Sequence, residues 1–180
     1  MSGFIPWAAV VMSAAIVSGC ATMTVSSHAQ RDLDFGRYRT FDWGPADALP
    51  TGDPRLDADP FFKDHLQGAV ERELAAKGLT LAASTSPDLL IHYHAHISRR
   101  IDVNSVDRAY GYCDGDNCSG VGDYEAGTLV LDIIDARTNL LVWRGWARDS
   151  VERVIGNEDR MERMINDAVT RMLMRLPPRL

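Results

Sequence analysis

No segment of this chain is apolar for long enough to cross a bilayer. The main candidate, Trp7 to Val17 (WAAVVMSAAIV), falls short of the about 20 residues a spanning helix needs. Its length is instead that of a signal-peptide h-region. The first 19 residues also lack Lys, Arg, Asp and Glu, so every charged side chain lies beyond them. The net charge is −6, and an acidic domain with scattered arginines is a poor ligand for nucleic acid or an anionic lipid surface. Catalytic signatures are missing too. There is no G-x-S-x-G, no H-E-x-x-H and no phosphate-binding glycine loop, so an enzyme is not expected and no cofactor is implied. What remains is an ordinary globular balance, 46% hydrophobic and 24% charged, in a chain of 180 residues. Without its first 19 residues the chain suits one domain that needs neither disulfide nor metal to fold.

The apolar run ends in Val17-Ser18-Gly19-Cys20. This resembles the lipobox of bacterial lipoproteins: an aliphatic residue, two small residues and a cysteine. The resemblance implies a signal peptide over 1–19, removed before Cys20, with diacylglycerol on the Cys20 thiol and an acylated new amine. Ala21, where Asp commonly marks retention at the inner membrane, implies the periplasmic side of the outer membrane. The n-region MSGFIP departs from the pattern in having no basic residue. Three chains on one cysteine would anchor in effect permanently, since each buried methylene adds about 0.8 kcal/mol. Residues 20–34 are small and polar and read as the lipidated cysteine plus a flexible tether of roughly 20 Å.

Cysteine is scarce: beyond Cys20 there are only Cys113 and Cys118, in Cys-Asp-Gly-Asp-Asn-Cys. An export signal implies an oxidising compartment, where so close a pair is expected to form a disulfide. Zinc would need four ligands, and the sequence has no second cysteine pair.

Along the rest of the chain, Tyr38 to Trp43 reads as a first strand and 44–58 as a loop. Asp59-Pro60 opens a helix whose apolar face is Phe62, Leu66, Ala69, Val70 and Leu74, closed by Gly78. Asp88–Ser98, Gly127–Ala136 and Leu140–Val151 read as strands, the last two joined by a hairpin at Arg137-Thr138-Asn139. Residues 99–124 form a loop excursion. Asn157 caps a last helix carrying Met161, Met164, Ile165, Ala168, Val169, Met172, Leu173 and Leu176 at steps of three and four, and Pro177-Pro178 stops it. The order β-α-β-β-β-α predicts a single α+β domain over 35–180, an antiparallel four-stranded sheet with two helices on one face.

Several landmarks occur in a recognisable order. They are Tyr38-Arg39-Thr40-Phe41-Asp42-Trp43, Lys77-Gly78-Leu79, Pro87-Asp88-Leu89-Leu90-Ile91 with Tyr93-His94-Ala95, Gly127 to Asp132, Leu141-Val142-Trp143-Arg144-Gly145, and Pro177-Pro178. Together they resemble the lipoprotein family known as domain of unknown function 4136. That resemblance implies a small periplasm-facing domain and brings no catalytic residues.

The sharpest candidate site is His92-Tyr93-His94-Ala95-His96. On a strand, alternate residues share a face, so His92, His94 and His96 form a row with a spacing of about 7 Å. Such a row could ligate zinc or copper, with His65 or an acid from elsewhere, and a metal-binding lipoprotein is the alternative function. The plainer reading places the row on the solvated face, since Ile91, Tyr93, Ala95 and Ile97 offer the apolar side to the helices. A calcium loop from Asp114 to Glu125 matches poorly, with Cys118 and Ser119 where Asp or Asn and then Gly are needed. Asp132 and Asp135 differ in parity and face opposite sides, as do Trp143 and Trp146. One tryptophan is expected in the core, the other partly exposed. The expectation is therefore a non-catalytic binding or scaffolding lipoprotein, held to the membrane by its N-terminal lipid, with an envelope protein as partner. For the cysteines, the unfolded, unreduced exported protein should show no reactive thiol at Cys113 or Cys118. Alkylation of both would remove the bridge from the account. Its loss should cost about 2 kcal/mol or less, because the ring is short.

Overall fold

The computed structural model describes residues 23–45, 51–82, 86–101 and 123–178. The signal segment, Cys20, Cys113, Cys118, Asp114 to Asn117 and most of the 99–124 excursion lie outside the described residues. One sheet of six strands runs through the domain: β1 Thr24–Ala29, β2 Thr40–Trp43, β3 Thr80–Leu81, β4 Leu89–Ile101, β5 Asp123–Asp135 and β6 Leu140–Ser150, in the spatial order β1-β6-β5-β4-β2-β3. Among the described residues three α-helices accompany it: α1 Pro54–Asp57, α2 Phe62–Ala76 and α3 Glu158–Leu173.

This corrects the expected antiparallel four-stranded sheet with two helices. The sheet is mixed: β1, β6, β5 and β4 are antiparallel neighbours, whereas β2 runs parallel to both β4 and β3. The physical reason is the connection. A helix between two strands returns the chain to the end it left, so β2-α2-β4 is a parallel unit, whereas the short turn after β5 makes a hairpin. The two missed strands have little sequence signal. Thr80–Leu81 is only two residues long. Thr24–Ala29 (TVSSHA) has small polar residues because it sits on an edge, and the segment expected as a tether is therefore part of the sheet.

The expected opening at Asp59-Pro60 is corrected: α2 starts at Phe62, its N-cap is Phe61, which makes no side-chain cap bond, and Asp59 instead accepts the amides of Phe61 and Phe62 at 2.9 and 3.0 Å in the turn before the helix. Its end is a Schellman motif. Gly78 takes φ 78°, its amide donates to Ala75, and the Leu79 amide donates to Leu74. Asn157 caps α3 by accepting the Arg160 amide at 3.0 Å.

The helices cover one face only. Buried Phe62, Leu66, Val70 and Leu74 of α2, with Met161, Ile165, Val169 and Met172 of α3, meet the odd-numbered rows of the sheet. Those rows are Leu89, Ile91, Tyr93 and Ala95 on β4, Leu131 and Ile133 on β5, and Trp143 and Ala147 on β6. Trp143, 1% exposed, is paired with Ile133, and its six-membered ring lies over Gly145, which pairs with Leu131. A Cβ at Gly145 would approach that ring to 2.3 Å. Gly145→Ala should therefore displace Trp143 and cost about 1–3 kcal/mol in denaturant unfolding. Trp143→Ala should cost about 3–5 kcal/mol, the upper range for a buried aromatic. An unchanged midpoint in either variant contradicts this packing.

Candidate functional site

Burying the odd rows leaves the even rows on the opposite face, with no helix over them among the described residues. The strand register arranges these side chains as a grid. One cross-strand row reads His28, Arg144, Asp132, His92; the next Ser26, Trp146, Val130, His94; the third Thr24, Arg148, Thr128, His96. Beyond the His28 row lies an apolar one, Leu141, Ile134 and Leu90, with Leu141 exposed. Adjacent strands stand about 4.8 Å apart, so the grid is a continuous surface rather than a cleft.

The histidines stand where parity places them. His94 and His96 are exposed and His92 is half-buried. Two glycines make room for the row. Gly44, whose amide donates to the Ile91 carbonyl, lies under the His92 ring, where a Cβ would come within 2.3 Å of Nε2. Gly52 donates to the Ala95 carbonyl, and its own carbonyl lies 3.3 Å from His96 Nδ1. His65 is not brought to the row. It sits on α2, across the sheet, with Nε2 3.8 Å from Glu158. Among the described residues no three His, Cys, Asp or Glu side chains converge. Glu125, the final residue of the calcium reading, is engaged by Arg55 at 2.9 Å.

The two aspartates separate as parity requires. Asp132 is buried on the open face and holds Arg144 through two bonds of 2.6 Å to Nε and Nη2. The hydrogen-bonded Asp132 carboxylate raises the Arg144 pKa. With its carboxylate committed in this bidentate fork, Asp132 is not a free base. Asp135 lies on the other face, where Arg37 (2.7 Å) and the Tyr38 hydroxyl (2.9 Å) reach one oxygen and the amides of Arg137 and Thr138 donate to the other. Burial pushes the Asp135 carboxyl up. The Thr138 amide, the Tyr38 hydroxyl and the Arg37 charge outweigh it and hold the pKa at about 2. This is a structural clamp on the β5–β6 turn. Sequence reading missed it because Arg37 and Asp135 are 98 positions apart.

The tryptophans also divide: Trp143 is core, and Trp146 is half-buried on the open face between Arg144 and Arg148. An aromatic ring paired with Val130 and flanked by two partly exposed guanidiniums has the composition of a protein-contact patch.

A test of the clamp follows from its sign. A carboxyl whose folded pKa lies below the unfolded value of 3.8 stabilises the fold fully above about pH 4, and that share disappears as the pH falls toward 2. Asp135→Asn should therefore destabilise the domain near neutrality by about 2 kcal/mol, with the gap to the native chain closing between pH 4 and 2. A gap independent of pH would refute the clamp.

Comparison with known proteins agrees with the fold. No curated protein matches the chain. A PelC dodecamer from Paraburkholderia phytofirmans has a chain of similar fold, with TM-score 0.51 and 10% identity over 88% of this chain and 100% of that one. A DUF4136 family protein from Bacteroides thetaiotaomicron matches with TM-score 0.52 and 16% identity over 83% and 95%. A PDZ domain protein from Parabacteroides distasonis matches with TM-score 0.54 and 18% identity, over 86% of this chain but 36% of its own. At these identities the likeness is one of fold alone. The family profile described as "Domain of unknown function (DUF4136)" matches residues 25–178, from inside the edge strand to the closing prolines, and the chain belongs to that family.

Proposed function

We propose that the protein is a non-catalytic binding module of the bacterial cell envelope, anchored by lipid on Cys20 to the periplasmic side of the outer membrane. Its docking surface is the open face of the sheet. The observation that carries the binding role is that face itself. It leaves Trp146 beside Val130 and flanked by Arg144 and Arg148, with the apolar row Leu141, Ile134 and Leu90 beyond the Arg144 row, and with no helix over it among the described residues. Apolar rows bordered by charged ones are the anatomy of a protein interface, and the partner is another envelope protein. The lipobox carries the anchoring. No described helix is long and apolar enough to cross a membrane, so the reading assigns attachment to Cys20.

The two halves are tested separately. Cys20→Ser should leave the precursor uncut and release the protein from the outer-membrane fraction; normal processing and location would sink the anchor. A photo-crosslinking side chain at Trp146 should give discrete adducts in the native envelope, and one at Glu162 on the exposed side of α3 should not. Trp146→Ala should abolish the same complexes when the partner is captured through its own tag, with the melting temperature changed by less than about 3 °C, as expected for a half-exposed site. Equal adducts from both positions would remove the open face from the proposal.

A further inference from the structure

The edge strand changes where an anchor at Cys20 would sit. Met23 is buried, and Thr24 already pairs with Arg148. Two residues, Ala21 and Thr22, separate Cys20 from Met23, so the three residue steps reach at most about 10 Å. A lipid on Cys20 would therefore leave from one particular end of the sheet. That end carries the start of β1, the close of β6 and the first turn of α3.

A cavity of about 70 Å³ lies at the same end, between the helix-facing side of the sheet and α1 and α3. Met23, Ile97, Leu129, Val154, Met161 and Met164 line it. Thr128 and Arg148 also border it, but their strand positions direct their side chains to the other face. Asp149, whose carboxylate accepts the Ser150 amide, is the one acidic side chain in its lining. It opens to solvent on one side and has room for about five water-sized groups. Methionine thioethers adapt to irregular apolar guests. The half-buried Met164 and Ile155 mark its mouth.

We infer that this cavity is an acyl-chain site, which takes the terminal methylenes of an uncharged, covalently esterified or amide-linked fatty acyl group. The inference rests on the lipid-anchor reading for its nearest source, the lipid on Cys20. A neighbouring membrane lipid offers the same chemistry. Asp149 disfavours a free fatty acid, because a carboxylate would meet a like charge there. A chain held in the cavity fixes the domain's tilt on the membrane, so the open face is presented in a constant direction.

The test uses methyl-¹³C methionine labelling, which places a reporter in the wall at Met23, Met161 and Met164 and a control at exposed Met174. Protein expressed from residue 20 onward, without the signal segment and carrying Cys20→Ser, retains the core from Met23 to Leu176 and is titrated with monodecanoylglycerol. The three wall methyls should shift together and saturate at one ligand per chain, with Met174 unmoved. Ala147→Leu, which fills the cavity, should weaken binding at least tenfold. Met164→Ala, which widens the mouth, should leave the chain folded and bind a longer monoacylglycerol more tightly. Lipidated protein held in lipid-free amphipol identifies the source. Wall methyls already shifted there assign the site to the Cys20 lipid; methyls that shift only when bilayer lipid is added assign it to neighbouring lipids. Wall methyls that fail to saturate, or binding indifferent to both variants, would overturn the inference. An intact mass without acyl groups on Cys20 would overturn the anchor, while the titration would still decide the cavity.

Discussion

The packing of Trp143 over Gly145 is the contact on which the rest of the domain depends. It places the largest core side chain at the centre of the sheet, beside Ile133 and under the helix layer. Because side chains alternate along a strand, fixing Trp143 inward fixes Arg144, Trp146 and Arg148 outward. The same alternation, transmitted through β5, puts Asp132 and Val130 outward, and through β4 the three histidines. The open face is thus the complement of the core, and a slip of one residue would exchange them.

That coupling explains why the face can carry so much polar chemistry. Asp132 is buried, and a buried carboxylate is costly unless it is paired and hydrogen-bonded. The bidentate Arg144 meets that need and leaves half of its own side chain in solvent. Gly44 and Gly52 supply the same kind of accommodation for the imidazoles, since a side chain at either would strike His92 or His96. The row is packed in place by backbone at Gly44 and Gly52.

At the ends of the sheet the constraints differ. One end is tied by Asp135, which gathers Arg37, Tyr38 and the β5–β6 turn. The other is apolar, with three methionines lining a pocket and the start of β1 beside it.

The sequence by itself determined the elements whose signals lie within a few residues. The 3.6-residue pattern of α3, the Asn157 cap, Gly78 and the Arg137-Thr138-Asn139 hairpin are local, and each is where local rules place it. It also determined the parity that separates His92, His94 and His96 from the core, Asp132 from Asp135 and Trp143 from Trp146. Tertiary structure decided what depends on neighbours far along the chain. The parallel pairing of β2 with β4 spans a helix, and β1 meets β6 across more than a hundred residues. An edge strand such as Thr24–Ala29 needs no apolar face of its own, so it looks like a tether until its partner is known. The Arg37–Asp135 clamp and the methionine-lined cavity exist only once distant segments pack, because burial and enclosed volume are properties of the assembled layers and not of any window of sequence.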